Sequence, residues 1–307
     1  MGISTTDTTS APKSTTQTDK APDPINSHTT FADLPDEPVV TIEPNKGWSA
    51  VELRDLWGHR ELLYFLVWRD VKIRYKQTLL GAAWAIVQPL LTMLVFTFIF
   101  GRVAKIDSNG IPYPVFAYAA LLPWTFFANA ITNSGNSIVG SAHLITKIYF
   151  PRPIIPMAAV CAGLVDLAVA FPMLLVLMFY YHIGITPEAL FLIPLVLVTT
   201  LLAIGVGMWI AAINVKYRDV KFAMPFVVQI WMYLSPVAYP SSVVPARWRT
   251  IYSLNPFVGI IDGYRASLFG RAFDWKTLAI SLAVTLAFLA YSARQFRKME
   301  KGFADII

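Results

Sequence analysis

The chain has 307 residues, 56 % of them hydrophobic and only 14 % charged, with a net charge of +6, whereas soluble domains carry about 25 % charged residues. Its charges cluster between long uncharged windows, which excludes an ordinary water-soluble globule and points to a multi-pass membrane protein. One cysteine, Cys161, and four scattered histidines (His28, His59, His143, His182) leave no disulfide within the chain and no ligand spacing for a metal.

Residues 1–45 are rich in Ser, Thr, Pro and Asp and carry seven acids against Lys13 and Lys20. Such a segment cannot bury enough apolar surface to order itself, so a disordered cytoplasmic tail is expected. It lacks a basic stretch followed by an apolar core, so no cleavable signal peptide is expected. Residues 46–77 follow, with Leu62–Trp68 apolar and the second half basic. An amphipathic helix lying in the headgroup layer is expected there, with Trp68, Arg69, Lys72, Arg74 and Lys76 near anionic lipid or a partner.

Apolar windows then recur along residues 78–307, each long enough to cross a bilayer. Six spans are expected, at about 78–101, 114–138, 154–181, 189–213, 222–240 and 277–293. No alternation of about ten residues marks barrel strands, so the fold class is an all-α membrane protein. With the N-terminus inside, 15 Lys and Arg lie on the cytoplasmic side against 7 outside, which places both termini in the cytoplasm.

Span two carries Thr125, Asn129, Asn133, Asn136 and Gly140 at helical spacing on one face. These polar groups face either a sugar-filled channel or a neighbouring helix. The cytoplasmic loop Gly140–Pro153 is short, has an amphipathic centre and ends at Pro151-Arg152-Pro153, which fixes its exit direction. Asp166, the only acid within a span, is expected to bond a neighbouring helix rather than couple an ion. Segment 241–275 is apolar but holds Pro256, Asp262 and Arg265. Two charges make a full span costly, so a two-helix re-entrant dip on the outer side is expected. Aromatic residues crowd the outer half of the spans. Of these, Trp124, Phe127, Trp231 and Tyr233 are the candidates for stacking on the apolar faces of sugar rings.

Four local patterns carry a family resemblance. They are Arg69-Asp70-Val71-Lys72-Ile73-Arg74-Tyr75-Lys76-Gln77-Thr78 with Leu80-Gly81, Trp84 and Gln88-Pro89; Lys147-Ile148-Tyr149-Phe150-Pro151-Arg152 with Pro156; Asn214-Val215-Lys216-Tyr217-Arg218-Asp219-Val220; and Ser235-Pro236-Val237-Ala238-Tyr239-Pro240 with Leu254-Asn255-Pro256 beyond. Together they cover residues 50–307, and the chain resembles the membrane subunit of ATP-binding-cassette exporters for O-antigen, capsule and teichoic acid chains. The resemblance implies a homodimeric channel in the bacterial inner membrane, two copies of a separate ATPase subunit, and a lipid-linked polysaccharide substrate. It implies a coupling helix in the cytoplasmic loop between spans two and three, with His143, Lys147, Tyr149 and Arg152 as contacts. The channel lining would include Trp124, Phe127, Asn129, Asn133, Asn136, Trp231 and Tyr233, and Asn255, Pro256 and Arg265 would form an outer gate. Nucleic acid is no expected partner. The chain has no G-x-x-x-x-G-K-[ST] phosphate loop, so no cofactor is expected in it: ATP and Mg²⁺ would bind the partner subunit.

Three other classes compete. A drug-exporting permease shares the six-span plan. An integral-membrane glycosyl or acyl transferase would need paired carboxylates or a histidine site, and Asp107, Asp219, Asp262 and Asp274 are not clustered in the sequence. A secondary transporter is opposed by the scarcity of charge within the spans and the lack of visible inverted repeats.

Overall fold

The computed structural model describes residues 57–76, 81, 83–145, 150–300 and 302–303. The tail 1–45, residues 46–56 of the expected interfacial segment, and Lys147 and Tyr149 of the loop between the second and third expected spans lie outside the described residues. Among the described residues there are helices and no strands: α1 (Arg60–Lys76), α2 (Ala83–Phe96, prolonged by a π-helical stretch Thr97–Val103), α3 (Tyr113–Gly140), α4 (Ala142–Ile145), α5 (Ile154–Tyr180), α6 (Leu192–Lys216, led by the 3₁₀ turn Pro187–Phe191), α7 (Val220–Tyr233), α8 (Ala246–Tyr252), α9 (Pro256–Phe269) and α10 (Trp275–Glu300).

Five of these helical runs are long and apolar enough to cross a membrane: Ala83–Val103, Tyr113–Gly140, Ile154–Tyr180, Pro187–Lys216 and Trp275–Glu300. They fall on five of the six expected windows. The four longest, at 26 to 30 residues, extend about 39–45 Å against a hydrocarbon core of about 30 Å. The sixth window, 222–240, holds the 14-residue helix α7, about 21 Å long. Pro236 and Pro240 cannot continue its hydrogen-bond ladder, and the chain turns from Leu234 onward.

Helix α3 is the axis of the bundle. It packs along α5 on one side and α6 on the other, and α6 in turn packs along α10. Small residues let these backbones approach. A Cβ on Gly135 would sit 2.6 Å from Cγ2 of Ile210, and one on Gly207 would sit 2.7 Å from Cβ of Ser134. With no net hydrophobic gain between helices in lipid, such close packing and a few hydrogen bonds hold the bundle. Ser134 Oγ donates to the Pro156 carbonyl (3.0 Å), Tyr118 Oη to that of Ala170 (3.2 Å), and Asn214 Nδ2 to that of Gly135 (2.9 Å).

Candidate coupling and translocation site

At the end of the bundle carrying the loop between α3 and α5, α3 stops at Gly140 and α4 occupies one turn, on which His143 is exposed. The chain then enters α5 through Pro151-Arg152-Pro153. Arg152, one of the expected ATPase contacts, is engaged within the chain. Its Nη1 donates to the Glu300 carbonyl (2.5 Å), its Nε lies 3.8 Å from the Glu300 carboxylate, and its guanidinium sits 6.0 Å from the Phe303 ring centre. The last carbonyls of a helix lack partners and carry partial negative charge, so a cation there is stabilising. Arg152 thereby ties the start of α5 to the end of α10.

Helix α1 does not lie across the end of the bundle. Leu66 packs on Ile154 and Ala158 of α5, and two turns later Arg74 and Tyr75 both reach Asp166. A rise of about 12 Å along α1 thus matches about 12–18 Å along α5, so the two helices run side by side in the same direction. A carboxylate in the middle of an apolar helix requires a cation, and α1 delivers one. Arg74 therefore faces Asp166 rather than lipid or a partner, with 28 % and 17 % of the two side chains exposed. Burial, followed by the Asp166 carboxylate, pushes the Tyr75 phenol above its ordinary pKa, so it remains a donor. Arg69 pairs locally with Asp70 (2.8 Å), while Trp68, Lys72 and Lys76 point outward and are exposed.

A cavity of about 210 Å³ lies beside this pair, bounded by α1, α2, α3 and α5. Thr125, Asn129 and Asn133, the stripe read from the sequence, line it together with Gln88 and Trp84 of α2. Asn136 belongs elsewhere: its Oδ1 accepts from Asn214 Nδ2 (3.2 Å) and its Nδ2 donates to the Thr132 carbonyl (2.9 Å). The stripe therefore divides, with its last asparagine spent on helix packing.

At the opposite end of the bundle, the turn 234–240 after α7 is irregular backbone held by side chains. Arg265, 5 % exposed, donates from Nη1 to the Pro236 carbonyl (2.7 Å) and from Nη2 to that of Val237 (2.9 Å). It makes longer contacts of 3.4 Å to the Tyr239 and Phe116 carbonyls and lies 3.5 Å over the Phe116 ring. Asn255 spends its whole amide: Nδ2 donates to the Leu234 carbonyl (3.1 Å) and Ser235 Oγ (2.9 Å), while Oδ1 accepts from Trp231 Nε1 (3.0 Å) and Phe257 N (3.1 Å). The last bond caps α9, and Pro256 fills the first helical position, where no N–H is needed. Tyr113 Oη donates to the Ala238 carbonyl (2.6 Å) and Val237 N to that of Ser235 (2.7 Å). Six consecutive carbonyls, Leu234 to Tyr239, thus have donors, as irregular backbone needs when it is removed from water.

The aromatic candidates separate. Trp124 and Phe127 are buried and pack edge-to-face against Phe257 (4.9 and 4.6 Å between centroids), with Trp231 closing the cluster at 5.1 Å from Phe127. Both rings are thus packed inside the bundle, in an edge-to-face cluster. Trp231 is half-buried at the edge of the cluster, and Tyr233 is exposed. No group of three or more His, Cys, Asp or Glu that could hold a metal occurs among the described residues.

Residues 61–269 match a family model described as "ABC-2 type transporter". The chain belongs to the ABC-2 type transporter family. The matched region runs from α1 to the last residue of α9 and so contains Asp166 with its partners, the cavity and the capped turn; α10 lies outside it. Among curated relatives, the O-antigen export system permease protein RfbA of Myxococcus xanthus is 29 % identical over 259 residues, 83 % of this chain and 98 % of that protein. RfbA of Klebsiella pneumoniae is 28 % identical over 250 residues, covering 80 % and 95 %. The polysialic acid transport protein KpsM of Escherichia coli is 23 % identical over 240 residues, covering 76 % and 92 %.

Several residues of this ABC-2 chain escape a reading of the sequence. Tyr75 and Gln88 sit inside quoted patterns, yet only the meeting of α1, α2 and α5 shows that they flank Asp166. Glu300 closes on Arg152 from 148 positions away. Phe257 follows the quoted Asn255-Pro256 pair, and nothing in its spacing marks it as the centre of the aromatic cluster. The outward faces of α2 and α7 stay uncovered in the single chain, with Leu91, Leu94 and Phe98 on one and Phe222, Phe226 and Ile230 on the other.

Proposed function

We propose that this chain is the channel-forming subunit of an ATP-driven exporter that carries a lipid-linked polysaccharide from the cytoplasm across the inner membrane. The observation carrying the reading is the coextensive match to O-antigen export permeases, which takes in 80–83 % of this chain and 95–98 % of those proteins. The site geometry supports it. The cavity presents uncharged amides and a hydroxyl, which bind hydroxyl-rich chains without gripping them by charge. A sequence without a phosphate loop needs a separate ATPase, of which two copies would serve a homodimer. The exposed apolar faces of α2 and α7 suit contact with a second copy.

In this reading α7 and the capped turn form the fifth of six spans. Helices α8 and α9 dip from the outer side and return to α10, with both termini cytoplasmic. The burial of α9 among α3, α6 and α10 supports this, since Asp262 and Arg265 would be costly against lipid. Exposed His143, with Lys147 and Tyr149, would contact the ATPase; Arg152 would pass the movement to α10. Asn255, Pro256 and Arg265 would hold the outer gate, and Asn129, Asn133, Trp231 and Tyr233 would meet the substrate. Trp68, Lys72 and Lys76 of α1 would face headgroups or the ATPase. Deleting the chain from its host should abolish a surface glycan and leave the lipid-linked polymer inside, with recovery on complementation. Surface glycans unchanged by the deletion would refute the proposal.

A further inference from the structure

The cavity beside Asp166 has a property that helix packing leaves unexplained. Thr125, Asn129, Asn133 and Gln88 line it, and among the described residues none of these four side chains makes a hydrogen bond. Polar groups at membrane depth are costly unless something satisfies them. The Thr132 and Thr199 hydroxyls elsewhere in the bundle do what such groups ordinarily do and return to the carbonyl four residues back. Four amide and hydroxyl groups held open toward one cavity are a different arrangement.

The charges of the site decide the ligand's charge. Arg74 and Asp166 are bonded to each other and cancel, and Tyr75 spends its hydroxyl on the same carboxylate. What remains free is donor and acceptor capacity without net charge, which selects a neutral, hydroxyl-rich molecule over a phosphate or an ammonium group. Size narrows it further. At about 210 Å³ the space falls below the range of about 300–1,000 Å³ for drug-sized ligands, so it admits one ring and not a length of chain. The rings of Trp84 and Phe126 also border it, and an aromatic wall beside amide groups matches a sugar ring, apolar on its C–H face and polar at its rim.

We propose that this cavity is a subsite for a single neutral sugar residue of the exported glycan, held between α1, α2, α3 and α5 of one protomer. The assignment rests on the polysaccharide reading above and adds to it a place, a size and a charge. Because Arg74 and Tyr75 of α1 form one end of the cavity and Asp166 of α5 anchors them, movement of the loop leading into α5 changes the shape of the subsite.

The test uses the full chain with its ATPase subunit in native membranes, with Cys161→Ala removing the single cysteine and Asn133→Cys placing a new one in the cavity. A small, neutral, water-soluble methanethiosulfonate is the probe. Labelling is timed in membranes from cells that make the lipid-linked glycan and from cells blocked at its first sugar transfer. The subsite predicts labelling in both, slowed about threefold where the glycan is present at about twice its dissociation constant. Equal rates in the two membranes overturn the subsite, and so does no labelling in either. Gln88→Cys repeats the measurement from α2 should Asn133→Cys fail to assemble. If the deletion strain loses its surface glycan while the two rates are equal, the subsite alone fails. If the deletion strain keeps its glycan, the polysaccharide reading fails first.

Discussion

Replacing Arg74 with methionine removes the cation that neutralises Asp166 and keeps most of the side chain's apolar bulk. The Asp166 side chain is 17 % exposed and, among the described residues, then retains only the Tyr75 hydroxyl as a partner. Breaking a buried ion pair from one side costs about 3–5 kcal/mol, because an uncompensated charge is left behind. Partial exposure of both partners lowers this to about 2–4 kcal/mol here. At about 2 °C per kcal/mol for a chain of this size, the single variant should melt roughly 4–8 °C lower. Asp166→Leu in the same background removes the stranded charge, and the double variant should recover most of the loss. Thermal melting of the purified complex, followed by the retention of monodisperse protein after heating, reads both values. If Arg74→Met and the double variant melt together, the pair contributes nothing and the side-by-side placement of α1 and α5 is wrong.

Three further outcomes follow from the packing. Gly207→Ala drives a methyl group into Ser134, an overpacking cost of about 1–3 kcal/mol, and Ser134→Gly should rescue its expression and melting temperature. Arg265→Met strips donors from the Pro236 and Val237 carbonyls and should cost about 3 kcal/mol or more; Asn255→Ala should cost less. Both should raise amide exchange in residues 234–240, read by mass spectrometry, and protection as strong as in the parent protein would contradict the clasp. Asp274 accepts from the Thr277 hydroxyl (2.6 Å) and amide (3.2 Å) at the start of α10, and these bonds hold its carboxyl below the usual carboxylate pKa. A lowered pKa stabilises the folded form above the unfolded value of about 3.9, and that stability is lost as pH falls through the folded value. Protection of the first turn of α10 should therefore drop below pH of about 4 and be insensitive to pH in Asp274→Asn.

Much of the architecture is legible in the chain, because the bilayer imposes a simple rule: long apolar windows become helices. Five of the windows did. The window at 222–240 shows where the rule stops, since apolarity alone does not register that Pro236 and Pro240 end a helix early. The polar stripe on α3 was legible from its period of four, but its division was not: Asn129 and Asn133 reach a cavity whereas Asn136 meets Asn214. Asp166 was legible as unusual, and its expected bond to a neighbouring helix is present. Its partners were hidden because they come from the basic flank 91 and 92 positions away rather than from another span. The tie between Arg152 and Glu300 was hidden for a related reason, since only the fold brings together residues so far apart in the chain. The burial of Trp124 and Phe127 against Phe257 was not legible, because composition counts aromatic rings without saying which way they face.

The central claim is that this chain supplies the passage and another chain supplies the energy. Its most direct test is transport in proteoliposomes holding the purified chain, with and without its ATPase subunit, loaded with fluorescent lipid-linked glycan on the ATPase side. The account predicts that glycan crosses only when both chains and hydrolysable ATP are present, and that the chain alone releases no phosphate. Nucleotide turnover by the chain alone, or glycan movement without the ATPase, would contradict it.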